Sequence, residues 1–279
     1  MTKKNIPTGE RLTEFALDVI TLEHLHRYAV ATEFVKNKIV LDIACGVGYG
    51  SYLLAAYALK VTGIDINKES IEVAKKKYSR PQLSFLNGDV ENIPVENASF
   101  DVVISFETLE HITNHDKMLE EIKRVIKPGG LLLISTPDKL IYSEKANHHN
   151  PFHKKELYKD EFELLICRYF KNNQLIYQSS GLVSIIMPQI ATGSSATYTG
   201  DFDHISKIQG IAAPFLVAIA SDNPLPPLSF SIFKSEALLP LILKEQSDAI
   251  RQTISYRLGH MLLKPFKLIK AAFRKNIPN

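Results

Sequence analysis

Residues 40–50 read VLDIACGVGYG, an apolar strand that contains Asp42 and runs directly into a loop with three glycines. Glycine has no Cβ, so it adopts positive φ readily and lets a ligand approach the backbone closely. A turn of this kind, between a buried strand and the N-terminus of a helix, is suited to binding a nucleoside. We therefore expect a nucleotide-type pocket here, lined by Asp42, Ala44, Gly46, Gly48 and Gly50.

A second apolar run, Val61 to Ile64, ends at Asp65, nineteen residues after Gly46. A carboxylate at a strand end is suited to accepting hydrogen bonds from both hydroxyls of a ribose. Asp65, together with the neighbouring Ile66, is therefore predicted to line the same pocket. A glycine-rich loop taken alone is equally consistent with a simple tight turn.

Apolar strands alternate with amphipathic helices through the first half of the chain. This pattern predicts an α/β fold with a mostly parallel, doubly wound sheet covered on both faces. Ligands of such sheets bind beyond the carboxyl ends of the strands. The predicted strands are 39–43, 61–64, 83–86, 102–105 and 131–135, and the predicted helices are 49–58, 68–78 and 116–126, with a helix stop at Pro128-Gly129-Gly130.

Two further strand ends carry polar residues. The third strand is followed by Asn87-Gly88-Asp89-Val90, where Asp89 is placed to accept a hydrogen bond from an adenine amino group and Val90 to cover the ring. The fourth strand ends in the run SFETLEH, residues 105–111. We expect both stretches at the same edge of the sheet as Asp42 and Asp65.

The pattern D-x-A-C-G-x-G-x-G over residues 42–50 resembles the first motif of class I S-adenosylmethionine (AdoMet) methyltransferases. The later strand ends match the family by position and type, so that the resemblance covers residues 38–136. It implies a Rossmann-like sheet of seven strands, AdoMet as cofactor and S-adenosylhomocysteine as product. It also places Phe106 beside the sulfonium, where a weak cation–π attraction is expected. The glycine spacing differs from that of NAD-dependent enzymes.

Residues 1–37 are predicted to form an N-terminal helical cap, with the helix over 9–35. Its cluster His24, His26, Arg27 and Tyr28 looks exposed. One interpretation is a solvated helix face with Tyr28 as a packing residue. The other follows from the family resemblance, which implies that Arg27 or Tyr28 reaches the methionine carboxylate of the cofactor.

The methyltransferase domain is predicted to extend over residues 38–222. After a polar loop at 136–153 and a helix at 160–170, runs at 174–179 and 211–220 are apolar enough for the last two strands, which the resemblance implies are an antiparallel hairpin at one edge. Residues 181–210 show little periodicity. Loops of this length are usually functional or disordered, so this insertion is our candidate for acceptor recognition.

Residues 223–279 are predicted to be a linker and a basic amphipathic helix. The helix carries an apolar stripe of Ile250, Ile254, Leu258, Met261, Leu262 and Phe266. Residues 250–279 contain seven Lys and Arg and no acid, so they carry +7, and the rest of the chain, whose total is +3, carries −4. Such a helix either packs on its own domain or docks on an assembly partner or an anionic membrane surface.

Bulk composition points to a cytosolic protein. The chain has 279 residues, 45% hydrophobic content and two cysteines, which do not make a disulfide framework. We see no signal pattern and no apolar run near the roughly 20 residues that span a bilayer. The predicted localisation is cytoplasmic, with peripheral contact at the inner face of the membrane through residues 250–279.

His111 and His153 are the candidate catalytic bases, because imidazole titrates near neutral pH. A metal is the alternative: Glu107, Glu110, His111 and His153 resemble the magnesium site of RNA 3′-end 2′-O-methyltransferases and of some quinone-pathway O-methyltransferases. In many metal-free methyltransferases a similar Glu-His pair simply forms hydrogen bonds near the cofactor.

The acceptor is predicted from the flanking segments EHLHRY (23–28), NPFHKKEL (150–157) and SYRLGHMLLKPF (255–266), which resemble bacterial methyltransferases of surface polysaccharide assembly. We expect O-methylation of a sugar or glycan. The alternatives are a quinone-like or lipid acceptor, or a non-catalytic AdoMet-binding scaffold. DNA is not expected as a partner, and RNA is disfavoured because residues 1–249 carry −4.

Overall fold

The computed structural model describes residues 19–181, 197–200, 205–208, 212–234 and 239–258. Nine strands lie in this part of the chain, seven of them in one sheet and two in a separate hairpin. The strands are β1 Ile39–Ile43, β2 Lys60–Asp65, β3 Leu83–Asn87, β4 Phe100–Phe106, β5 Ile126–Pro137, β6 Asn172–Gln178, β7 Thr197–Gly200, β8 Ile205–Ile208 and β9 Phe215–Ser221.

The order of the sheet is β3-β2-β1-β4-β5-β9-β6. The first five strands are parallel, whereas β9 runs antiparallel to both β5 and β6. The chain therefore leaves β1 toward one side for β2 and β3, and returns to the other side for β4 and β5. This reversal opens a crevice beyond the carboxyl ends of β1 and β4, where α/β sheets bind their ligands. The predicted seven-stranded, Rossmann-like fold is confirmed.

Six helices are described, together with a 3-10 turn at Leu109–His111 and a π-helical segment at Lys139–Lys145. Helix ends are set locally: the side chain of Asn67 accepts a hydrogen bond from the Ser70 N–H at 2.8 Å, an N-cap that starts the third helix. The helices are α1 Val19–Val35, α2 Tyr49–Leu54, α3 Lys68–Lys77, α4 His115–Val125, α5 Lys159–Tyr169 and α6 Leu239–Gln252.

The core lies on both faces of the sheet, because successive side chains of a strand point to opposite sides. In β1, Leu41 and Ile43 join the larger cluster, to which α4 and α5 contribute. Val40 joins the second cluster, which buries Tyr28 and Ala31 of α1 and residues of α2. Helix α1 is thus part of the core of this sheet from Glu23 onward.

Some predicted boundaries are wrong. The helix after β1 ends at Leu54, not at residue 58. Strand β5 starts at Ile126, directly after α4, so Pro128-Gly129-Gly130 lies inside a strand and not between a helix and a strand. The register shifts there, and Gly129 has φ +72°, a backbone conformation that glycine adopts without strain.

The antiparallel pairing predicted for the edge of the sheet is present, but the strand boundaries differ from those predicted. Strands β6 and β9 pair antiparallel, but β9 begins at Phe215, after Pro214, and not at residue 211. Within the candidate acceptor insertion 181–210, the described parts are the hairpin strands β7 and β8. The predicted helix over 9–18 and the stripe residues Met261, Leu262 and Phe266 lie outside the described residues.

The described residues divide into two compact units, one within 23–233 and the other within 19–22 and 234–258. In the second unit, α6 is followed by a helical turn at 254–258. Its large apolar side chains Leu243, Ile250, Ile254 and Leu258 are exposed. Among the helices of the described ranges, we find none with the length and apolar character needed to cross a membrane.

Candidate functional site

The loop after β1 has a left-handed backbone at three positions. Gly46 has φ +56° and Gly48 φ +86°, and the non-glycine Ala44 has φ +54°. Left-handed φ at a non-glycine residue is strained, and such strain is concentrated at functional sites. A Cβ built on Gly46 would meet no atom within 4 Å, so the backbone at this residue borders open space. A ligand can therefore come close to the chain at Gly46.

The other two glycines are required by packing within the protein. A Cβ on Gly48 would lie 2.7 Å from Ala74 and Phe85. A Cβ on Gly50 would overlap the ring of Tyr28. Of the three glycines, Gly46 is the one whose backbone borders open space, whereas Gly50 makes room for α1, and room for a ligand at this loop stays a prediction.

We expect Gly50→Ala to destabilise the protein by about 1–3 kcal/mol, because the added methyl overpacks the contact with Tyr28. Urea denaturation measures the change in the free energy of unfolding. Gly181→Ala is the control, since a Cβ at Gly181 meets nothing within 4 Å. Equal stability of the two variants would mean that α1 is not packed on α2 as described.

Asp42 lies beneath the loop and is fully buried. Its carboxylate accepts hydrogen bonds from Ser51 Oγ at 2.6 Å and from the Tyr28 hydroxyl at 3.2 Å. Burial raises the pKa of Asp42 to about 7, although these two hydrogen bonds act in the opposite direction. Asp42 therefore joins the glycine loop to α1, and its atoms are not on the surface of the crevice.

Asp65 stands at the end of β2, nearly buried, with each carboxylate oxygen bound to a backbone N–H. Oδ2 accepts from Gly46 at 2.9 Å and Oδ1 from Asn67 at 2.8 Å. A carboxylate has about four acceptor positions, so it can bind several donors at once. Asp65 thus fixes the loop and borders the open space at Gly46.

The predicted adenine-side residues differ in exposure. Ile66 is 65% exposed, and Asp89 is exposed with Oδ1 accepting from the Glu91 N–H at 2.9 Å. Val90, in contrast, is buried in the core cluster, so its side chain supports this edge from beneath. The strand ends carrying Ile66 and Asp89 are neighbours, because Asp65 pairs with Asn87 between β2 and β3.

Arg27 projects from α1 into the core of the site and is 3% exposed. Its Nε donates to Gln178 Oε1 at 2.6 Å, and its guanidinium lies 4.7 Å from the centre of the Phe215 ring. Nη1 is 3.4 Å from Glu107 Oε1, close enough for an ion pair but without hydrogen-bond geometry. Nη1 and Nη2 have no hydrogen-bond partner within the described part of the chain. Two buried donors of this kind fit a carboxylate, which guanidinium binds in bidentate fashion.

The cluster on α1 that looked exposed is therefore turned inward. Tyr28 is 6% exposed, its hydroxyl faces Asp42, and its ring lies edge-on to Phe106 with centroids 5.2 Å apart. Tyr28 is thus a packing residue. Of the two residues predicted to reach the methionine carboxylate, Arg27 is the one with hydrogen-bond donors that lack partners in the described part of the chain. Burial lowers the pKa of His24 to about 3, and its Nδ1 lies 3.0 Å from the Tyr49 hydroxyl.

Two glutamates follow β4. Glu107 has φ +52°, a second strained position, and accepts from Ser135 Oγ at 2.6 Å. Glu110 is buried, and its Oε2 accepts from Thr136 Oγ1 at 3.1 Å. Burial is the main reason that the pKa of Glu110 lies well above its ordinary value, and the electrostatic effect of Glu107 is the second. The neutral form of Glu110 is the one that this buried environment favours.

His111 and His153 are brought together although they are far apart in sequence. Their rings are 5.2 Å apart and nearly perpendicular. Ligand atoms of Glu110, His111 and His153 lie within 4.8 Å of one another. Glu107, the fourth predicted metal ligand, is not in that group among the described residues and instead contacts Arg27 and Ser135.

The hydrogen bonds of His111 define its tautomer. Nδ1 lies 3.1 Å from the carbonyl oxygen of Phe152, which can only accept, so Nδ1 carries the proton. In the neutral ring the lone pair is then on Nε2, which lies 4.0 Å from Glu110 Oε1. His111 is half-buried, and its Nε2 has the electronic form of a base.

Sequence reasoning missed the partners that organise this site. Ser51, Ser135, Gln178 and Phe215 contact predicted residues, and each belongs to a different element. A single polar residue in a strand or helix gives no local signal of such a contact, because the contact depends on how distant elements pack.

Comparison with known proteins indicates which family the sheet is similar to. Residues 41–134 match the family model described as a methyltransferase domain. A relative from Mycolicibacterium smegmatis, described as a probable S-adenosylmethionine-dependent methyltransferase, is 34% identical over 52% of this chain and 58% of its own. Phthiotriol/phenolphthiotriol dimycocerosates methyltransferase 1 of Mycobacterium ulcerans is 39% identical over 39% of this chain and 40% of its own.

Among solved structures, a SAM-dependent methyltransferase of Thermotoga maritima, described as a possible histamine N-methyltransferase, has a TM-score of 0.53. It is 19% identical and covers 74% of this chain and 91% of its own, a likeness of fold. The chain spans about half the length of the curated relatives that it matches. The family-model match and the fold together support a class I AdoMet-dependent methyltransferase domain over residues 41–134.

Proposed function

We propose that this protein binds AdoMet at the carboxyl edge of its sheet and transfers the methyl group to a hydroxyl of an acceptor. The observation that carries the proposal is the guanidinium of Arg27, which is buried at this edge with two nitrogens that lack hydrogen-bond partners in the described part of the chain. Leaving such donors unsatisfied is costly, so a carboxylate ligand stabilises the arrangement. The methionine carboxylate of AdoMet supplies one.

The remaining side chains take roles around that anchor. Asp65 holds the ribose hydroxyls, and Gly46 leaves room for the nucleoside along the backbone. Ile66 and Asp89 contact the adenine, with Val90 supporting them from the core. AdoMet supplies, when bound, a methyl group on a positive sulfonium, so the protein has to align the acceptor and remove its proton.

We propose His111 as the base that removes this proton. Its Nδ1–H is held by the Phe152 carbonyl, so Nε2 bears the lone pair. His153 is less suited, because Asn150 Nδ2 lies 3.0 Å from its Nε2 and Glu156 Oε1 2.6 Å from its Nδ1. The ring nitrogens of His153 are thus bonded within the protein.

The metal hypothesis, with Glu110, His111 and His153 as ligands, remains the second candidate mechanism, and their proximity favours it. The set offers one carboxylate and two imidazoles. Mg²⁺ prefers oxygen ligands, and a carboxyl with a raised pKa is a poor ligand until it loses its proton. For these reasons we propose a base that works without a metal.

For the acceptor, we propose a hydroxyl of a sugar or glycan, in line with the flanking segments that resemble enzymes of surface polysaccharide assembly. A lipid alcohol is the second candidate, favoured by the Mycobacterium ulcerans relative, whose name denotes phthiotriol dimycocerosates as its substrates. The relevant test is incubation with labelled AdoMet and a panel of free sugars, glycans and long-chain lipid alcohols. Label in a glycan supports the first candidate and label only in a lipid the second. AdoMet binding with no label in any acceptor favours a scaffold.

We propose that the C-terminal region docks on an anionic membrane surface. This proposal includes a cytosolic location for the protein, at the inner face of the membrane. Support comes from the exposed apolar side chains of 239–258 and from the +7 charge of residues 250–279. An apolar face beside many basic residues favours binding to anionic lipid headgroups.

We expect the full-length protein to sediment with phosphatidylglycerol vesicles and to bind phosphatidylcholine vesicles at least ten-fold more weakly, because each basic residue near an anionic surface contributes about 1 kcal/mol. An Ile254→Glu, Leu258→Glu variant should lose this binding. Ile205→Glu is the control, since Ile205 is 74% exposed in the other unit. Equal binding by the variant and the control, or no binding by the wild type, would mean that the helix packs within its own protein.

A further inference from the structure

Residues 146–157, which we term the histidine loop, contain a continuous series of hydrogen bonds that ends at His111. We propose that Asn150 is a positioning residue for the base. The Asn150 side chain acts through the peptide of Phe152, and this peptide fixes the tautomer of His111. This inference rests on the proposed role of His111. Asn150 is 6% exposed and lies far along the chain from the turn that carries His111, so the contact is a product of the fold.

The orientation of the Asn150 amide is defined by its neighbour. Its Oδ1 lies 3.0 Å from the backbone nitrogen of Phe152, which can only donate. The other atom of the amide, Nδ2, must then face His153, and it lies 3.0 Å from Nε2 of that ring. Because an amide nitrogen donates, His153 Nε2 is the acceptor.

The tautomer of His153 follows from this bond. With Nε2 accepting, the neutral ring carries its proton on Nδ1, which donates to Glu156 Oε1 at 2.6 Å. Glu156 is held in turn by Ser143, whose Oγ donates to Oε2 at 2.6 Å. His153 thus orients Asn150, and its own ring is oriented by the carboxylate of Glu156.

The peptide of Phe152 carries this order to His111. Its N–H is bound by Asn150 and its carbonyl oxygen accepts from His111 Nδ1 at 3.1 Å. The Phe152 side chain is 51% exposed, so packing of its ring contributes little to the position of the backbone. Within the loop, the Lys154 N–H donates to the Glu110 carbonyl at 2.7 Å, which fixes the segment after Phe152. The Asn150 side chain is therefore the side-chain partner that holds the Phe152 peptide, in addition to the backbone hydrogen bonds of His153 and Lys154.

The chemical consequence is a base with one defined tautomer. A histidine with its proton on Nε2 cannot accept a proton there, so a mixture of tautomers lowers the fraction of competent enzyme. Small displacements of a catalytic group also lower the rate strongly. In the same arrangement, the Nε2 lone pair of His153 accepts the hydrogen bond from Asn150 Nδ2. A metal can bind His153 Nε2 only if this hydrogen bond breaks.

Two substitutions at Asn150 separate the two bonds of its side chain. Asn150→Ala removes both. Asn150→Asp keeps an acceptor for the Phe152 N–H but removes the donor to His153 Nε2. His149→Ala is the control, an exposed residue of the same loop.

The measurement is ¹⁵N NMR of the histidine side chains in the full-length protein, with steady-state kinetics once an acceptor is known. In the wild type and the control we expect His111 as the Nδ1–H tautomer. In Asn150→Ala we expect a tautomer mixture and a fall in kcat of about 10- to 100-fold, with KM for AdoMet unchanged. In Asn150→Asp we expect His111 to keep its tautomer, because the aspartate oxygen still accepts from the Phe152 N–H.

Retention of a single Nδ1–H tautomer at His111 in Asn150→Ala overturns the inference. If Asn150→Ala does not fold, Asn150→Asp decides the question, because a mixture of His111 tautomers in that variant contradicts the hydrogen-bond assignment. The NMR result does not depend on turnover. It therefore separates failure of the positioning role from failure of the base: a tautomer change in Asn150→Ala together with a fully active His111→Ala leaves the hydrogen-bond series intact and removes His111 from the chemistry.

Discussion

We expect Asp65→Ala to weaken AdoMet binding by roughly 2–4 kcal/mol, about 30- to 1,000-fold in Kd. Two charge-assisted hydrogen bonds to the ribose hydroxyls are lost, each worth about 1.5–3 kcal/mol at most when fully formed. Isothermal calorimetry with AdoMet and with S-adenosylhomocysteine measures the change. Unchanged affinity would place the ribose elsewhere.

Asp65 also binds the backbone of Gly46 and Asn67, so part of the loss could come from the loop itself. A ligand analogue separates the two effects. The wild type should bind 2′,3′-dideoxy-S-adenosylhomocysteine more weakly than S-adenosylhomocysteine. Asp65→Ala should bind both ligands equally. The four affinities form a double-mutant cycle in which the ligand is one of the two partners. Asp89→Ala is the comparison at the adenine side, where the loss of one exposed hydrogen bond is expected to cost about 1 kcal/mol.

His111→Ala is expected to lower kcat by about 10² to 10⁴, the usual contribution of a general base, while AdoMet affinity changes little. The ring lies half-buried at the turn after β4, so its removal leaves the core intact. Single-turnover measurements with labelled AdoMet and an acceptor test this expectation. Full activity in the variant would leave alignment alone as the mechanism.

Chelation distinguishes the base from a metal. A base that works alone predicts that a chelator changes nothing and that His153→Ala is milder than His111→Ala. If Glu110, His111 and His153 hold a metal, activity should vanish with chelator and return with the cation, because a metal lowers the pKa of a bound hydroxyl. In that case both histidine variants should lose metal affinity to a similar degree.

The parallel strands of the sheet could be predicted from sequence, because each is marked by a short-range pattern. Apolar runs mark β1 to β5, and glycines and acids follow those runs at the ends of β1, β2 and β3. The parallel fold then places these ends at one edge. The roles of individual acids could not be predicted in the same way. Asp42 and Asp65 have similar settings in the sequence, but Asp42 is sealed beneath α1 and Asp65 borders open space.

The roles of α1 residues depend on contacts between distant segments. Arg27 binds Gln178, 151 residues away, and the fit of Tyr28 over Gly50 exists only once α1 packs on α2. Helical periodicity cannot indicate which face of such a helix is buried, since α1 is polar on the side that enters the site. For this reason the α1 cluster looked exposed in the sequence.

The two histidines show a second limit. Sequence and family resemblance place His111 and His153 at the same edge, and the structure brings their rings within 5.2 Å. Which one is suited to act as a base depends on the partner of each ring nitrogen, a carbonyl for His111 and an amide for His153. Hydrogen-bond partners of this kind are defined by tertiary structure and not by spacing.

The central claim is that the carboxyl edge between α1 and strands β1, β2 and β4 is an AdoMet site anchored by Arg27 and Asp65. A crystal structure of the complex with S-adenosylhomocysteine tests it most directly. We expect the ligand carboxylate at hydrogen-bond distance, about 2.7–3.2 Å, from Nη1 and Nη2 of Arg27, and the ribose hydroxyls on Asp65. A ligand bound away from this edge, or one whose carboxylate leaves both Nη atoms of Arg27 without a partner, would contradict the account.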